Sequence, residues 1–355
     1  MKTAHYLIRF HTPAFLGNAE RSGQWRTPAF KAQLRQWWRM AYAAAHDFGP
    51  NVNAMRKEEG LLFGHAWLDD DHDRHGKPIA ARKSLVRMRL GAWANGEMTS
   101  WIASRHSVSH PEVRQTVASD LYMGFGPLLL PQGSNKPVLK SGTAIQAGEH
   151  ISYSLAYPEE HCQLIETALA LMDRFGTVGG RSRNGWGSYI LQPEGNTPGL
   201  FHVTPLRPWT DALKLDWPHA IGSDARGALI WQTRPCADWQ ELMKALAILK
   251  IGLRTQFTFH SGKYASQPEA RHWLSYPVTN HSVDAWEPNL RLPNSLRFKV
   301  SPAPGQVNKL VGMIFHIPCL PPPRFQPDLA EIKGVWSKVH AFLDAPAQQL
   351  TRLTA

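Results

Sequence analysis

The stretch from Glu160 to Leu191 constrains the fold most. A helix with Leu164, Ile165, Ala168, Leu169 and Met172 as its apolar stripe runs into a glycine-rich segment, Gly176 to Ser188. That segment continues as a strand at Tyr189-Ile190-Leu191. Helix, loop, strand reverses the strand, loop, helix order of Walker and Rossmann phosphate loops, and no G-K-[ST] is present, so nucleotide hydrolysis by that route has no support. Five glycines and two arginines occupy the thirteen residues of the segment. Glycines let backbone N–H groups approach a phosphate without a Cβ in the way, and arginines add bidentate donors. The plainer reading of such a segment is a tight turn. Its two arginines and one tryptophan favour the phosphate reading.

Charge points the same way. The chain has 355 residues, with 39 Lys and Arg against 28 Asp and Glu, a formal charge of +11. The pI is near 9.7, which suits a polyanionic partner, nucleic acid above all. The excess is local: residues 1–46 carry Lys2, Arg9, Arg21, Arg26, Lys31, Arg35 and Arg39 against a single acid, Glu20. The 14 tryptophans could stack on bases, although most such side chains fill a core. At 43% apolar and 19% charged residues, disorder and collagen-like repeats are excluded. Three cysteines, Cys162, Cys236 and Cys319, make neither a disulfide framework nor a C-x-x-C zinc pair. The N-terminal MKTAHYLIRFHTP lacks a signal-peptide core, and Leu310 to Pro323 is too short and too rich in proline to span a membrane. The expectation is a basic, cytoplasmic protein of two domains, since roughly 150 residues make one.

Periodicity places the elements. Tyr6 to Phe10 reads as a strand and Thr12 to Asn18 as a loop. A helix is predicted over Thr27 to Ala45, with Thr27 as its cap, Pro28 at its first position, and Leu34, Trp37, Trp38 and Ala41 as its buried stripe. Lys31, Arg35 and Arg39 recur every four residues on another face, with no interleaved acid to pair them. A second helix covers Met55 to Phe63. In Ser84 to Leu90, alternation puts Arg87 and Arg89 on one face of a strand. Pro193 to Pro208 is the candidate boundary between a module at 1–200, holding the 176–188 loop, and one at 201–355. Beyond it come a strand at Ala228 to Trp231, a helix from Trp239 to Lys250, strands at Leu296 to Val300 and Leu310 to Ile317, and a helix from Lys333 to Leu343. These add up to two α+β modules.

Two of these segments carry a resemblance. Arg26-Thr27-Pro28-Ala29-Phe30-Lys31-Ala32-Gln33-Leu34-Arg35-Gln36-Trp37-Trp38-Arg39 resembles the R-x-P-S-I-K-G-x-L-R-x-W-x-R opening helix of the RAMP superfamily of CRISPR-associated proteins. Gly176 to Ser188 resembles that superfamily's glycine-rich loop, G-G-x-G-x-R-x-R-x-G-F-G-S. Phe15-Leu16-Gly17 and Leu62-Phe63-Gly64 fit the same pattern, which is closest to the Cmr-one family. Ala29, Ala32, Thr177 and Asn184 depart from it. The resemblance implies two ferredoxin-like (RRM-like) modules in a subunit of a type III CRISPR effector. Its partners would be guide RNA, target RNA and other RAMP subunits. By motif position, Lys31 and Arg35 would hold phosphates at the helix, and Gly179, Arg181, Arg183 and Gly185 would form the loop that contacts RNA. Gly180, Asn184 and Trp186 share that loop, while Arg26, Arg39, Arg87 and Arg89 extend the basic surface.

An endoribonuclease is the competing expectation. The run Asp69-Asp70-Asp71-His72-Asp73 could supply a cleaving aspartate, and His106 and His110 could act as acid or base. The run is contiguous and flanked by Gly76 and Pro78, which fits a solvated loop better than a built metal site. No catalytic triad, metal set or cofactor site can be assigned from the sequence. A non-catalytic RNA-binding subunit is the expected function.

Overall fold

The computed structural model describes residues 1–66, 68, 70–134 and 136–353, which fall into two compact units. The first holds residues 1–100, 141–180 and 186–205; the second holds 101–140, 181–185 and 206 onward. In place of a single cut at residue 200, the division is interleaved, and five residues of the glycine-rich segment count with the second unit.

The principal elements, in chain order, are β1 (Lys2–Phe10), α1 (Thr27–Ala45), α2 (Val52–Phe63), β2 (Arg87–Leu90), β3 (Ser107–His110), β4 (Val113–Ala118), α3 (Ser119–Gly124) and β5 (His150–Tyr157). There follow α4 (Cys162–Phe175), β6 (Tyr189–Pro193), β7 (Ile230–Gln232), α5 (Trp239–Thr255), β8 (Leu296–Pro302), β9 (Leu310–His316), α6 (Leu329–Asp344) and β10 (Thr351–Arg352).

The first unit has a four-stranded sheet in the order β2-β5-β1-β6, and each neighbouring pair is antiparallel. The second repeats the plan with β8-β9-β7-β10, again antiparallel throughout. In each, the connectivity is strand, helix, strand, strand, helix, strand, with the third strand lying between the first two and the fourth beside the first. The first unit inserts an extra α-helix, α2, after its first helix.

In α1 the expected stripe is the buried one: Leu34, Trp37, Trp38 and Ala41 are each 3% exposed or less. Thr27, however, does not cap it. Arg26 takes the extended N-cap conformation without a side-chain bond, so Thr27 and Pro28 are already in the first turn. Trp37 stacks at 5.8 Å on Phe175 of α4. On α1, Phe30 lies 6.3 Å from Trp25, 6.0 Å from Tyr153 and 5.7 Å from Tyr189, so loop, helix and sheet share one aromatic core. Helix α6 begins earlier than its apolar stripe suggests, because Asp328 accepts from the Glu331 N–H at 2.9 Å and caps it. Asp238 does the same for α5, from Glu241 at 2.8 Å. Among the described residues eight tryptophans, including Trp25, Trp186, Trp231 and Trp336, are buried; Trp93 is 62% exposed.

Truncating Phe30 removes the ring on which three others lean. Phe30→Ala is expected to cost roughly 3–5 kcal/mol, read as a lower urea midpoint, while Trp93→Ala stays within about 0.5 kcal/mol of wild type.

Candidate nucleic-acid interface

The cation row of α1 folds as expected but is not left unpaired. Arg35 Nε donates to Glu59 Oε1 at 2.6 Å, and Arg39 donates through Nε to Oε2 at 2.7 Å and through Nη2 to Oε1 at 2.8 Å. Glu59 lies on α2 and is only 4% exposed. The acid that α1 lacks is therefore supplied by another helix, 20 and 24 residues further along the chain. Lys31 Nζ donates to the Phe63 carbonyl at 2.7 Å, and Arg26 Nη1 to the Gly17 carbonyl at 3.0 Å. Burial, with Arg35 nearby, holds the Lys31 ammonium below its ordinary pKa. Three cations against one carboxylate still leave the row net positive. Arg39 remains 44% exposed and Arg35 29%, so both keep donors for a second acceptor. Arg87 and Arg89 both stand exposed on the edge strand β2, and neither has an ion-pair partner among the described residues.

In the first unit the glycine-rich segment packs backbone to backbone against residues 11–17. Gly180 N–H donates to the Phe15 carbonyl at 3.0 Å, Gly187 N–H to that of Pro13 at 2.9 Å, and His11 N–H to that of Ser188 at 2.8 Å. Gly179 makes this possible, and Gly187 lets the segment close on its own Val178. A Cβ on Gly179 (φ +91°) would sit 2.7 Å from the Phe15 carbonyl oxygen, and one on Gly187 (φ +61°) 1.9 Å from that of Val178. Trp186 is fully buried, 5.3 Å from the Phe15 ring, so it offers no face to a base. Part of the glycine signature therefore serves packing rather than phosphate approach.

Residues 181–185, in the second unit, are different. Arg181 takes a left-handed conformation (φ +57°), with Nε on the Phe125 carbonyl at 2.5 Å. Asn184 spends both ends of its amide: Nδ2 donates to the Met123 carbonyl at 2.7 Å, and Oδ1 accepts from Lys250 Nζ at 3.0 Å. The buried Gly185 gives its N–H to the Ser182 carbonyl at 3.1 Å. Phe298 N–H donates to the Arg183 carbonyl at 3.0 Å, tying the segment to β8. The amides of Arg181, Ser182 and Arg183, and the Arg183 guanidinium, have no acceptor among the described residues. Neighbouring Arg297 on β8 has a buried Nε without a partner. Burial and the adjacent Arg183 push Arg297 down to about 9. Two guanidinium groups without a carboxylate, beside three successive free amides, form an arrangement that an anion would complete. The sequence pattern marks Arg183. Arg297 reads there as an ordinary strand residue, and only the register of segment 183–184 on β8 brings the two together.

Among the described residues of the acidic run, Asp71 is buried while Asp70 and His72 stand exposed. Asp69 lies outside the described residues. Asp71 is 4% exposed and accepts from Arg82 Nη2 at 2.9 Å and from His65 Nε2 at 2.7 Å. These bonds, the one from Arg82 foremost, hold its carboxyl down at about 2. His110 accepts from the Glu112 N–H at 3.2 Å and packs on the Tyr122 ring at 5.9 Å. Among the described residues, no three His, Cys, Asp or Glu side chains are placed to hold a metal. No helix among them is long and apolar enough to cross a membrane.

The twofold use of one strand and helix plan, with local surpluses of cations, defines a basic α+β protein. No family model matches the chain, and no curated protein matches it. Among solved structures it is similar to the crystal structure of apo Cmr1 from Pyrococcus furiosus, with 15% identity, 99% of this chain and 98% of that one covered, and a TM-score of 0.47. It is also similar to a chain in the cryo-EM structure of the type III-B Cmr-beta complex bound to cognate target RNA and AMPPnP in the presence of ssDNA. There the identity is 10%, the coverage 96% and 99%, and the TM-score 0.45.

Because the Asp71 carboxyl is depressed in the folded chain, its contribution to stability is complete above the ordinary carboxylate pKa near 4 and fades as the pH falls toward about 2. The urea midpoint of wild type is therefore expected to fall more steeply between pH 4 and pH 2 than that of Asp71→Asn, with the two curves converging at the acid end.

Proposed function

We propose that this chain is a non-catalytic, RNA-binding subunit of a type III CRISPR effector, holding guide RNA and its duplex with target RNA through their phosphates. The observation that carries this reading is the second unit's cationic loop, where Arg183, Arg297 and the amides of residues 181–183 lack any acidic partner among the described residues. Nothing there reads a base edge. Backbone contact with sequence left to guide pairing is what such donors support. The antiparallel order with the third strand between the first two, present in each unit, supports a pair of ferredoxin-like modules. The motif at Arg26 to Arg39 and the loop at 176–188 support membership of the RAMP superfamily. The net positive row of Lys31, Arg35 and Arg39 and the edge pair Arg87 and Arg89 would extend the phosphate track. Trp186 drops out as a stacking platform because it is buried, and Gly180, Asn184 and Gly185 shape the loop rather than touch the strand.

A cleaving role for Asp71 finds no support in its surroundings, since Arg82 and His65 already occupy its oxygens. Metal-dependent cuts made by the purified chain, and abolished by Asp71→Ala in a folded protein, would restore that role.

Salt-dependent binding to single-stranded RNA tests the site. Arg183→Gln with Arg297→Gln is expected to lower the log–log salt slope by about 1.4–1.8, or 0.7–0.9 for each phosphate contact. An unchanged slope in the folded double variant sinks the proposed loop contact. Glu59→Gln, which frees Arg35 and Arg39, is expected to tighten RNA binding at low salt while lowering stability. Loss of stability with no gain in affinity would make the α1 row purely structural.

A further inference from the structure

The proposed RNA contacts leave a second concentration of cations in the second unit unused. Lys250 and Arg254 stand one turn apart on α5, and Arg271 follows in a short helical turn. Arg271 is only 4% exposed; Nη1 pairs with Glu112 and the guanidinium lies 5.2 Å over the Phe259 ring. Lys250 Nζ lies 5.4 Å over the Tyr122 ring. Burial, with Arg254 and Arg181 adding to it, holds the Lys250 ammonium well below its ordinary pKa, and Arg254 and Arg271 both lie near enough to act on Tyr122 and on His110. Among the described residues, the carboxylate recorded against these four basic groups is that of Glu112, which pairs with Arg271, acts on Arg254 and is 45% exposed. Within the cluster Arg254 Nε and Arg271 Nε are buried without a hydrogen-bond partner among the described residues, while Arg254 and the Tyr122 hydroxyl bond each other.

Burying cations this way is costly unless a counter-charge arrives, and each orphaned donor adds to the cost. A bound anion removes both penalties. Donors on a helix, a turn and a tyrosine approach from different elements, which suits a tetrahedral group with several oxygens better than a planar carboxylate. The surplus of positive charge matches a phosphoryl group carrying between one and two negative charges.

We propose that Lys250, Arg254, Arg271 and Tyr122 form a phosphoryl-binding site in the second unit, distinct from the Arg183 and Arg297 loop, which takes a phosphate of the bound RNA strand. The RNA as source rests on the function proposed above; the phosphoryl chemistry does not.

Thermal midpoints of the full chain at rising inorganic phosphate, with ionic strength held constant by chloride, separate the two. Wild type is expected to gain stability with phosphate. Lys250→Met and Arg254→Gln, which relieve repulsion, are expected to fold at least as well without phosphate and to lose that gain. An equal gain in the folded variants overturns the site. RNA oligonucleotides ending in a 5′-phosphate, a 3′-phosphate or only hydroxyls supply the second reading. Roughly ten- to hundredfold weaker binding of one phosphorylated end alone in the variants identifies a terminal phosphate as the occupant. Equal weakening of all three identifies an internal phosphodiester. If no RNA binds wild type while the phosphate response persists, the RNA source fails and the phosphoryl site stands.

Discussion

Backbone meeting backbone along residues 11–17 and 176–188 is the constraint on which the first unit's loop geometry depends. Three main-chain hydrogen bonds, from His11, Gly180 and Gly187, lock the two segments together. The Thr12 hydroxyl adds a fourth by accepting from the Ser188 N–H at 3.0 Å. Such an approach leaves no room for a Cβ at Gly179, and the close pass of Val178 leaves none at Gly187, so both glycines are fixed by packing before any ligand is considered. What the packing leaves open is the stretch from Arg181 to Arg183, and there the chain carries its two arginines.

Charge in this protein is arranged by tertiary structure more than by local spacing. The α1 row looks unopposed in sequence because no acid lies within one turn, yet Glu59 reaches two of its three members from α2. Each guanidinium keeps some exposure, so the pairing orients the row without neutralising it. In the second unit the reverse holds, since cations gather around Lys250 and Arg183 with a single carboxylate among the partners found for them. A buried surplus of this kind works against stability, and its persistence is the physical reason for expecting an anion there.

Much of the architecture is legible in the chain. The stripe at Leu34, Trp37, Trp38 and Ala41 places α1 at its observed limits, the apolar run at Leu296 falls within β8, and the one at Leu310 runs one residue past the end of β9. Caps are less legible: Thr27 has the chemistry of a cap and does not act as one, whereas Asp328 caps α6 well ahead of its apparent start. The interleaved membership of residues 101–140 and 181–185 has no compositional signal, because the glycine-rich motif runs unbroken through 181–185 and residues 101–140 read as ordinary loop and hairpin text. For the site, sequence pattern identifies the arginines but not their company. Glu59, Arg297 and Lys250 become informative only once long-range register brings them beside the residues that the motifs mark.

The edge strand β2 bears on how the chain associates. It is four residues long and forms the outer border of its sheet, pairing on one side only, with β5. An open border invites another chain to add a strand, and natural proteins discourage this with short, charged edges. Arg87 and Arg89 meet both conditions, repelling a second copy of the same border while remaining attractive to a polyanion. The two guanidinium groups thus bias that border against self-assembly and toward partners of opposite charge.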